Sequence, residues 1–173
     1  MRNTTEFVDA FELARLRREL KRETALASFD RLLEGLAEQP DRKVEWSVTG
    51  DTDNVGRRYL VLQAHTVVTL ECQRCLKMFD LELNVENRIE LVEKESEIEA
   101  EEAWEDDPEA PDQLLGSTHF DVLSLIEDEL ILALPYVPKH EVCPSLPEGL
   151  EADPGSESGR PSPFSVLAEL KKD

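Results

Sequence analysis

Positive charge is what this chain has least of for its size. Nineteen lysines and arginines stand against 39 aspartates and glutamates, giving a formal charge of −20 and a pI near 4.5. Such a field repels phosphate backbones, which argues against holding nucleic acid by net charge and suits a basic partner better. Cysteine is scarce as well. Cys72, Cys75 and Cys143 give no disulfide framework and fit a reducing compartment with thiol or metal use. Long apolar runs are missing: the longest unbroken one is Leu130 to Leu134, far short of the roughly 20 residues of a membrane span. The opening residues, Met1 to Glu6, hold no apolar h-region. A cytoplasmic protein with no membrane contact is expected. No serine lies in a nucleophile-elbow pattern, so no catalytic residue is assigned and no small-molecule substrate is expected.

At 173 residues the chain holds one domain with a real core plus tails. Its most specific stretch runs from Thr66 to Cys75, a strand leading into a Cys-x-x-Cys turn. Val68, Leu70 and Cys72 share one face, so the strand delivers the first thiol in a defined orientation. Two thiols so spaced can grip one zinc ion, and a second pair of ligands follows at His140 and Cys143. The separation of 65 positions from Cys75 to His140 far exceeds finger spacing, so packed or idle thiols stay open beside zinc. Redox work is a minor alternative, since a reactive thiol sits best at a helix N-terminus and these follow a strand.

Residues 1–42 read as a helical N-terminal region, with helices over 9–23 and 24–38. In the first, Arg15, Arg18 and Arg22 make a basic stripe, either a solvated face or a phosphate contact. In the second, Leu26, Phe29, Leu32, Leu33 and Leu36 face a core. Residues 43–143 form the core domain. From Lys43 the period becomes two: Val44, Trp46 and Val48 alternate with polar residues, and Gly50 to Gly56 supplies turn chemistry. Tyr59 to Cys72 is a second β segment with a break expected at 63–65. Phe79 to Leu91 is a third, with Asn87 alone interrupting its apolar row.

Residues 84–112 carry 13 acidic and 2 basic residues, a local charge of −11. Within them, 94–116 reads as a mobile acidic linker, either solubilising or, with Trp104, a docking arm for a basic protein. Helical spacing returns over 119–134, with Asp121 as N-cap, Pro135 as terminator and Glu127, Asp128 and Glu129 as its polar remnant. Residues 144–173 read as a flexible tail ending in a short docking helix. The fold class expected is α+β: an antiparallel sheet or partial barrel of about five or six strands, covered by one long apolar helix, with disordered acidic links.

Three stretches in order, Thr69-Leu70-Glu71-Cys72-Gln73-Arg74-Cys75, Ile126 to Pro135 with Val137-Pro138 and His140, and Pro163-Phe164 with Val166-Leu167-Ala168, resemble the bacterial YceD family, the large ribosomal RNA subunit accumulation proteins. The resemblance implies a cytoplasmic protein needed for synthesis, processing or stability of large-subunit ribosomal RNA, with no established catalytic activity. Many relatives carry a second cysteine pair after the acidic helix, as in a zinc ribbon; here that region reads His140-Glu141-Val142-Cys143.

Two functional classes follow. A non-catalytic assembly factor would touch ribosomal RNA through Arg15, Arg18, Arg22 and Arg74, with Glu127, Asp128 and Glu129 as further partner contacts. An acidic escort would instead hold one basic large-subunit ribosomal protein. A third class, a metal-dependent RNA-processing hydrolase, would use Asp121, Glu127, Asp128 and Glu129, although one helix cannot place a two-metal site by itself. The simpler reading of these acids is surface charge paired with Arg57, Arg58 or Arg74.

Overall fold

A computed structural model of the chain describes residues 6–98 and 111–144. Of the expected linker, residues 99–110 with Trp104 lie outside that range, as does the tail from residue 145 with its docking helix. The elements are, in order, β1 (Phe7–Val8), α1 (Ala10–Leu16), β2 (Glu19–Ala25), α2 (Asp30–Leu33), β3 (Lys43–Thr52), β4 (Arg58–Glu71), β5 (Met78–Val92), β6 (Gln113–Leu115), β7 (Phe120–Asp121) and α3 (Val122–Leu132). Five strands make one sheet in the order β2-β3-β4-β5-β6. The expected α+β class and strand number hold, but the sheet does not close into a barrel, and β6 joins β5 in parallel. Gln113–Leu115, expected inside the acidic linker, is thus an edge strand.

The period-two reading of β3 and β5 places the core correctly. Trp46 and Val48 register with Ala64 and Leu62 of β4, and these with Val85 and Asn87 of β5, so one face of the sheet is apolar except at Asn87. β4 runs unbroken through the 63–65 segment, because Ala64 points inward while Gln63 and His65 point out. Gly50 belongs to β3 rather than to the turn that follows it.

The predicted N-terminal helices are largely replaced. Arg17 adopts the left-handed conformation at φ 49° and ends α1 after seven residues, and Glu19–Ala25 then pairs along β3. The segment Glu-Leu-Lys-Arg-Glu-Thr-Ala favours helix locally, but edge pairing buries part of Leu20 and Thr24, and tertiary context outweighs propensity. Arg15, Arg18 and Arg22 therefore sit on a helix, a turn and a strand and form no helical stripe. The second predicted helix shrinks to α2 and a 3-10 turn, although Leu26, Phe29 and Leu32 are buried as expected.

The single long covering helix is also corrected. α3 has 11 residues, and α1 packs on the same sheet face. The reason lies at Gly50: a Cβ there would lie 2.1 Å from the Leu13 carbonyl oxygen, so only glycine lets α1 approach β3. Gly50→Ala is expected to cost at least about 2 kcal/mol by forcing α1 off the strand; denaturant unfolding would show it, and an unchanged midpoint would mean that the close approach is not needed. Both helices start from the β1–β7 pair. Asp9 accepts from Glu12 N at 2.9 Å, and Asp121, the predicted N-cap, accepts from Leu123 N at 3.1 Å and Ser124 N at 3.3 Å. Pro135 follows the end of α3 as predicted and turns the chain toward the tip of the β4–β5 hairpin.

Candidate metal centre

The β4–β5 connection carries the first two thiols. Cys72 follows Glu71 at the end of the inner row of β4 and is fully buried, so the strand alternation does deliver it to the core face. The turn is closed by Leu76 N donating to Cys72 O at 2.8 Å and Cys72 N donating to Lys77 O at 2.9 Å. Leu76 takes φ 59°, a left-handed conformation that disfavours a branched side chain by roughly 1–2 kcal/mol.

The second half arrives from the far side of the chain. Gln73 N donates to Pro138 O at 2.9 Å, which docks the segment leaving α3 onto the knuckle. His140 N then reaches Cys72 Sγ at 3.4 Å, His140 Nδ1 lies 3.4 Å from Cys75 Sγ, and Cys143 Sγ lies 3.7 Å from Cys72 Sγ. All four ligand atoms fall within 4.8 Å of one another. A tetrahedral zinc ion with Zn–S near 2.3 Å and Zn–N near 2.0–2.1 Å would need edges of about 3.8 Å between sulfurs and about 3.5 Å between sulfur and nitrogen. The Cys72–Cys143 edge of 3.7 Å and the Cys75–His140 edge of 3.4 Å match these two values, and the remaining edges fall within 4.8 Å. Three sulfurs and one imidazole are a donor set suited to zinc, and four protein ligands leave no open position for substrate.

Electrostatics around the cluster favour ionised sulfur at Cys72. Burial pushes its thiol up, but the backbone N–H groups of His140, Cys75 and Arg74 outweigh that and leave it lowered to about 5. Cys75 is raised, first by burial. Arg74 Nε donates to Cys143 Sγ at 2.8 Å and its second arm donates to His140 O at 3.0 Å, so this arginine serves the cluster directly. The hydrogen bond to Cys143 raises the Arg74 pKa.

The remaining sequence candidates have other occupations. Arg15 pairs with Glu12 at 3.7 Å and Arg22 with Glu6 at 3.1 Å; Arg18 is exposed in the turn after α1. Glu127 accepts from the backbone N–H groups of Arg31 and Leu32, at 2.7 and 3.1 Å, and from Arg31 Nε at 2.9 Å, while Asp128 takes Arg31 Nη1 at 2.6 Å. The partner of Glu127 and Asp128 is therefore Arg31, not Arg57, Arg58 or Arg74. Glu129 accepts from Asn87 Nδ2 at 3.1 Å. With Asp121 capping α3 and Glu129 on Asn87, only Glu127 and Asp128 converge, and they converge on the Arg31 guanidinium. Among the described residues, the Cys72, Cys75, His140 and Cys143 group is the one cluster of such side chains able to hold a metal ion. His65 binds Asn84 Oδ1 at 2.8 Å, and His119 stacks on Phe7 with centroids 3.8 Å apart. Sequence reasoning missed Arg31 and also Gln39, whose side-chain amide pairs both backbone groups of Thr69 and seals the edge of β4. Neither stands in a motif that would have marked it.

Glu129 gives a pH test. Burial raises its carboxyl above the ordinary value, opposed by the Asn87 hydrogen bond. A carboxyl raised in the folded state destabilises the fold when ionised, and the penalty is relieved as pH falls through the folded value. Glu129→Gln keeps an acceptor for Asn87 and loses the charge. It should melt above the wild-type chain at neutral pH, with the gap closing toward about pH 4, near the ordinary glutamate value; a gap that widens on acidification would contradict this.

No helix among the described residues is long and apolar enough to cross a membrane. A protein-family model described as "Large ribosomal RNA subunit accumulation protein YceD" matches residues 60–171, a span that includes both halves of the cluster. A curated relative, the large ribosomal RNA subunit accumulation protein YceD of Haemophilus influenzae, is 34% identical over 121 residues, which cover 61% of this chain and 60% of the relative's length. No solved structure matches the chain at a significant level.

Proposed function

The chain belongs to the large ribosomal RNA subunit accumulation protein YceD family, and from that premise we propose that it is a non-catalytic factor supporting synthesis, processing or stability of large-subunit ribosomal RNA. The observation that carries the reading is the family match across residues 60–171, which takes in the hairpin tip and the segment docked on it. In this reading zinc is held by Cys72, Cys75, His140 and Cys143. Its role is structural, since a closed set of four protein ligands offers no coordination site to a reactant. The carboxylates that a hydrolase would need are already engaged in capping and docking helices, which favours a recognition role.

The test is depletion of the protein in its host, with large- and small-subunit ribosomal RNA quantified together. The large-subunit RNA should fall relative to the small and recover when the wild-type gene is restored. An unchanged ratio would overturn the proposal.

One observation favours the second reading, an escort for a basic large-subunit ribosomal protein. Arg15, Arg22 and Arg74 all have partners within the chain, in a protein of charge −20. Salt separates the two. Direct RNA contact weakens steeply with salt, and the triple variant Arg15→Ala, Arg18→Ala, Arg22→Ala should flatten that slope. An escort should hold its protein unless residues 95–112 are removed, with RNA affinity unaltered.

A further inference from the structure

Of the chain's three cysteines, Cys72 and Cys75 are buried and Cys143 alone is partly exposed. Cys143 lies on the stretch after α3, where no residue from 133 to 144 is in a helix or strand, so its side chain can shift without disturbing either. Cys72 is fixed at the end of β4, with its N–H on Lys77 O and its sulfur 3.7 Å from Cys143 Sγ. Arg74 Nε donates to Cys143 Sγ at 2.8 Å, and this arginine is itself exposed. An accessible sulfur, a cation against it and a second sulfur in reach are the parts of a thiol that oxidises selectively and is then resolved by its neighbour.

We propose that Cys143 is a site of oxidation by peroxides, and that Cys72 captures the oxidised sulfur in a disulfide that reversibly dismantles the metal centre. The proposal rests on the zinc ligand set of the functional reading above and adds its regulation. A metal-bound cysteine is held as thiolate, the form that attacks a peroxide. Cys143 Sγ takes one peroxide oxygen, the O–O bond breaks, and the other oxygen leaves as hydroxide beside the Arg74 guanidinium, which meets the charge developing on it. The product at Cys143 is a sulfenic acid. The Cys72 thiolate then attacks that sulfur: the S–S bond forms, the S–O bond breaks and a second hydroxide leaves. Each sulfur has given up one electron, and one peroxide has become two hydroxides, which two protons from solvent turn into water. The two sulfurs have only to close from 3.7 Å to about 2.0 Å.

Cys75 is the thiol left over, buried and 3.4 Å from His140 Nδ1. A pairing of Cys72 with Cys75 has no exposed sulfur to react first. Sulfurs joined in a disulfide are no longer thiolate donors, so Cys75 and His140 remain as two ligands where a structural zinc site takes four, and the chain releases the ion. A small thiol reverses the change through a mixed disulfide and restores all four donors.

The test treats the full-length zinc-loaded protein with hydrogen peroxide, reads zinc release with a chromophoric chelator, and maps the thiols by differential alkylation and peptide mass spectrometry without reduction. Zinc release and a Cys72–Cys143 disulfide should rise together, one for one, with Cys75 still open to alkylation. A thiol reductant and added zinc should return the starting state. Cys75→Ser, with or without zinc, should form the same disulfide; Cys72→Ser should form none and carry Cys143 on to the sulfinic acid. A Cys72–Cys75 or interchain disulfide as the main product, a disulfide formed with zinc retained, or three intact thiols after excess peroxide would each overturn the proposal and leave the functional reading standing. A protein isolated without zinc overturns the proposal together with the ligand set. If depletion of the protein leaves the ratio of large- to small-subunit RNA unchanged, the functional reading is what fails, whatever the thiols do.

Discussion

Cys72→Ser should bind zinc at least about 100-fold more weakly than the wild-type chain, the upper end of what loss of an outer-shell partner alone produces. Cys72 is the hub of the cluster: its sulfur lies 3.7 Å from Cys143 Sγ and receives the His140 backbone N–H at 3.4 Å. Serine shortens the side chain and replaces a soft thiolate with a hydroxyl, so the ion loses both a ligand and the geometry that joins the two halves. At free zinc a hundredfold above the wild-type dissociation constant, bound metal contributes about 2.7 kcal/mol of stability, most of which the variant forgoes. For a chain of this size that corresponds to a melting temperature roughly 5–11 °C lower. The sheet itself should persist, because its core of Trp46, Leu60, Leu62 and Val68 lies along the strands away from the hairpin tip. Arg74→Ala should do less, about 10-fold in affinity, since it removes only the cation on Cys143 and the bond to the His140 carbonyl. Competition with a chromophoric chelator measures both, and wild-type affinity in Cys72→Ser would refute the ligand assignment.

Glu127→Ala is the second large effect, expected at about 2–3 kcal/mol from leaving a buried backbone donor without its acceptor, to which the half-exposed Arg31 guanidinium adds little. The Glu127 carboxylate caps the start of α2 from across the molecule, taking the backbone N–H groups of Arg31 and Leu32 together with the Arg31 guanidinium. Alanine would leave the buried Leu32 N–H without its acceptor and free Arg31 from its tightest contact. Glu127→Gln retains an oxygen for the backbone donors and should cost less than half as much. Denaturant midpoints for the two variants check this; equal and small losses would mean that α2 does not depend on α3.

The division between what the residues announced and what they concealed follows the range of the forces involved. Asp121 was legible as an N-cap because capping is local, and the inner row of β4 and β5 was legible because alternation is a property of consecutive residues. Cys72 and Cys75 declared themselves by spacing. His140 and Cys143 were legible as a candidate second pair, and the structure brings them to the first; spacing alone could not close the site, because that depends on a chain path through α3 and on the Gln73–Pro138 hydrogen bond. β2 was misread for the same reason: nothing in Glu19 to Ala25 favours strand until β3 lies beside it. Arg17 and Leu76 carry left-handed backbone without glycine, so the end of α1 and the shape of the knuckle had no residue signature. Glu127 looked like surface charge on a greasy helix, and only its cross-chain donors reveal it as a cap.

That one metal ion joins the hairpin tip to the segment beyond α3 is tested most directly by the metal content of the full-length protein, purified without chelator and without a metal-affinity step. Native mass spectrometry should find one zinc ion per chain, lost in Cys143→Ser. A chain that is metal-free, refuses added zinc and leaves Cys72, Cys75 and Cys143 open to a thiol reagent would contradict it.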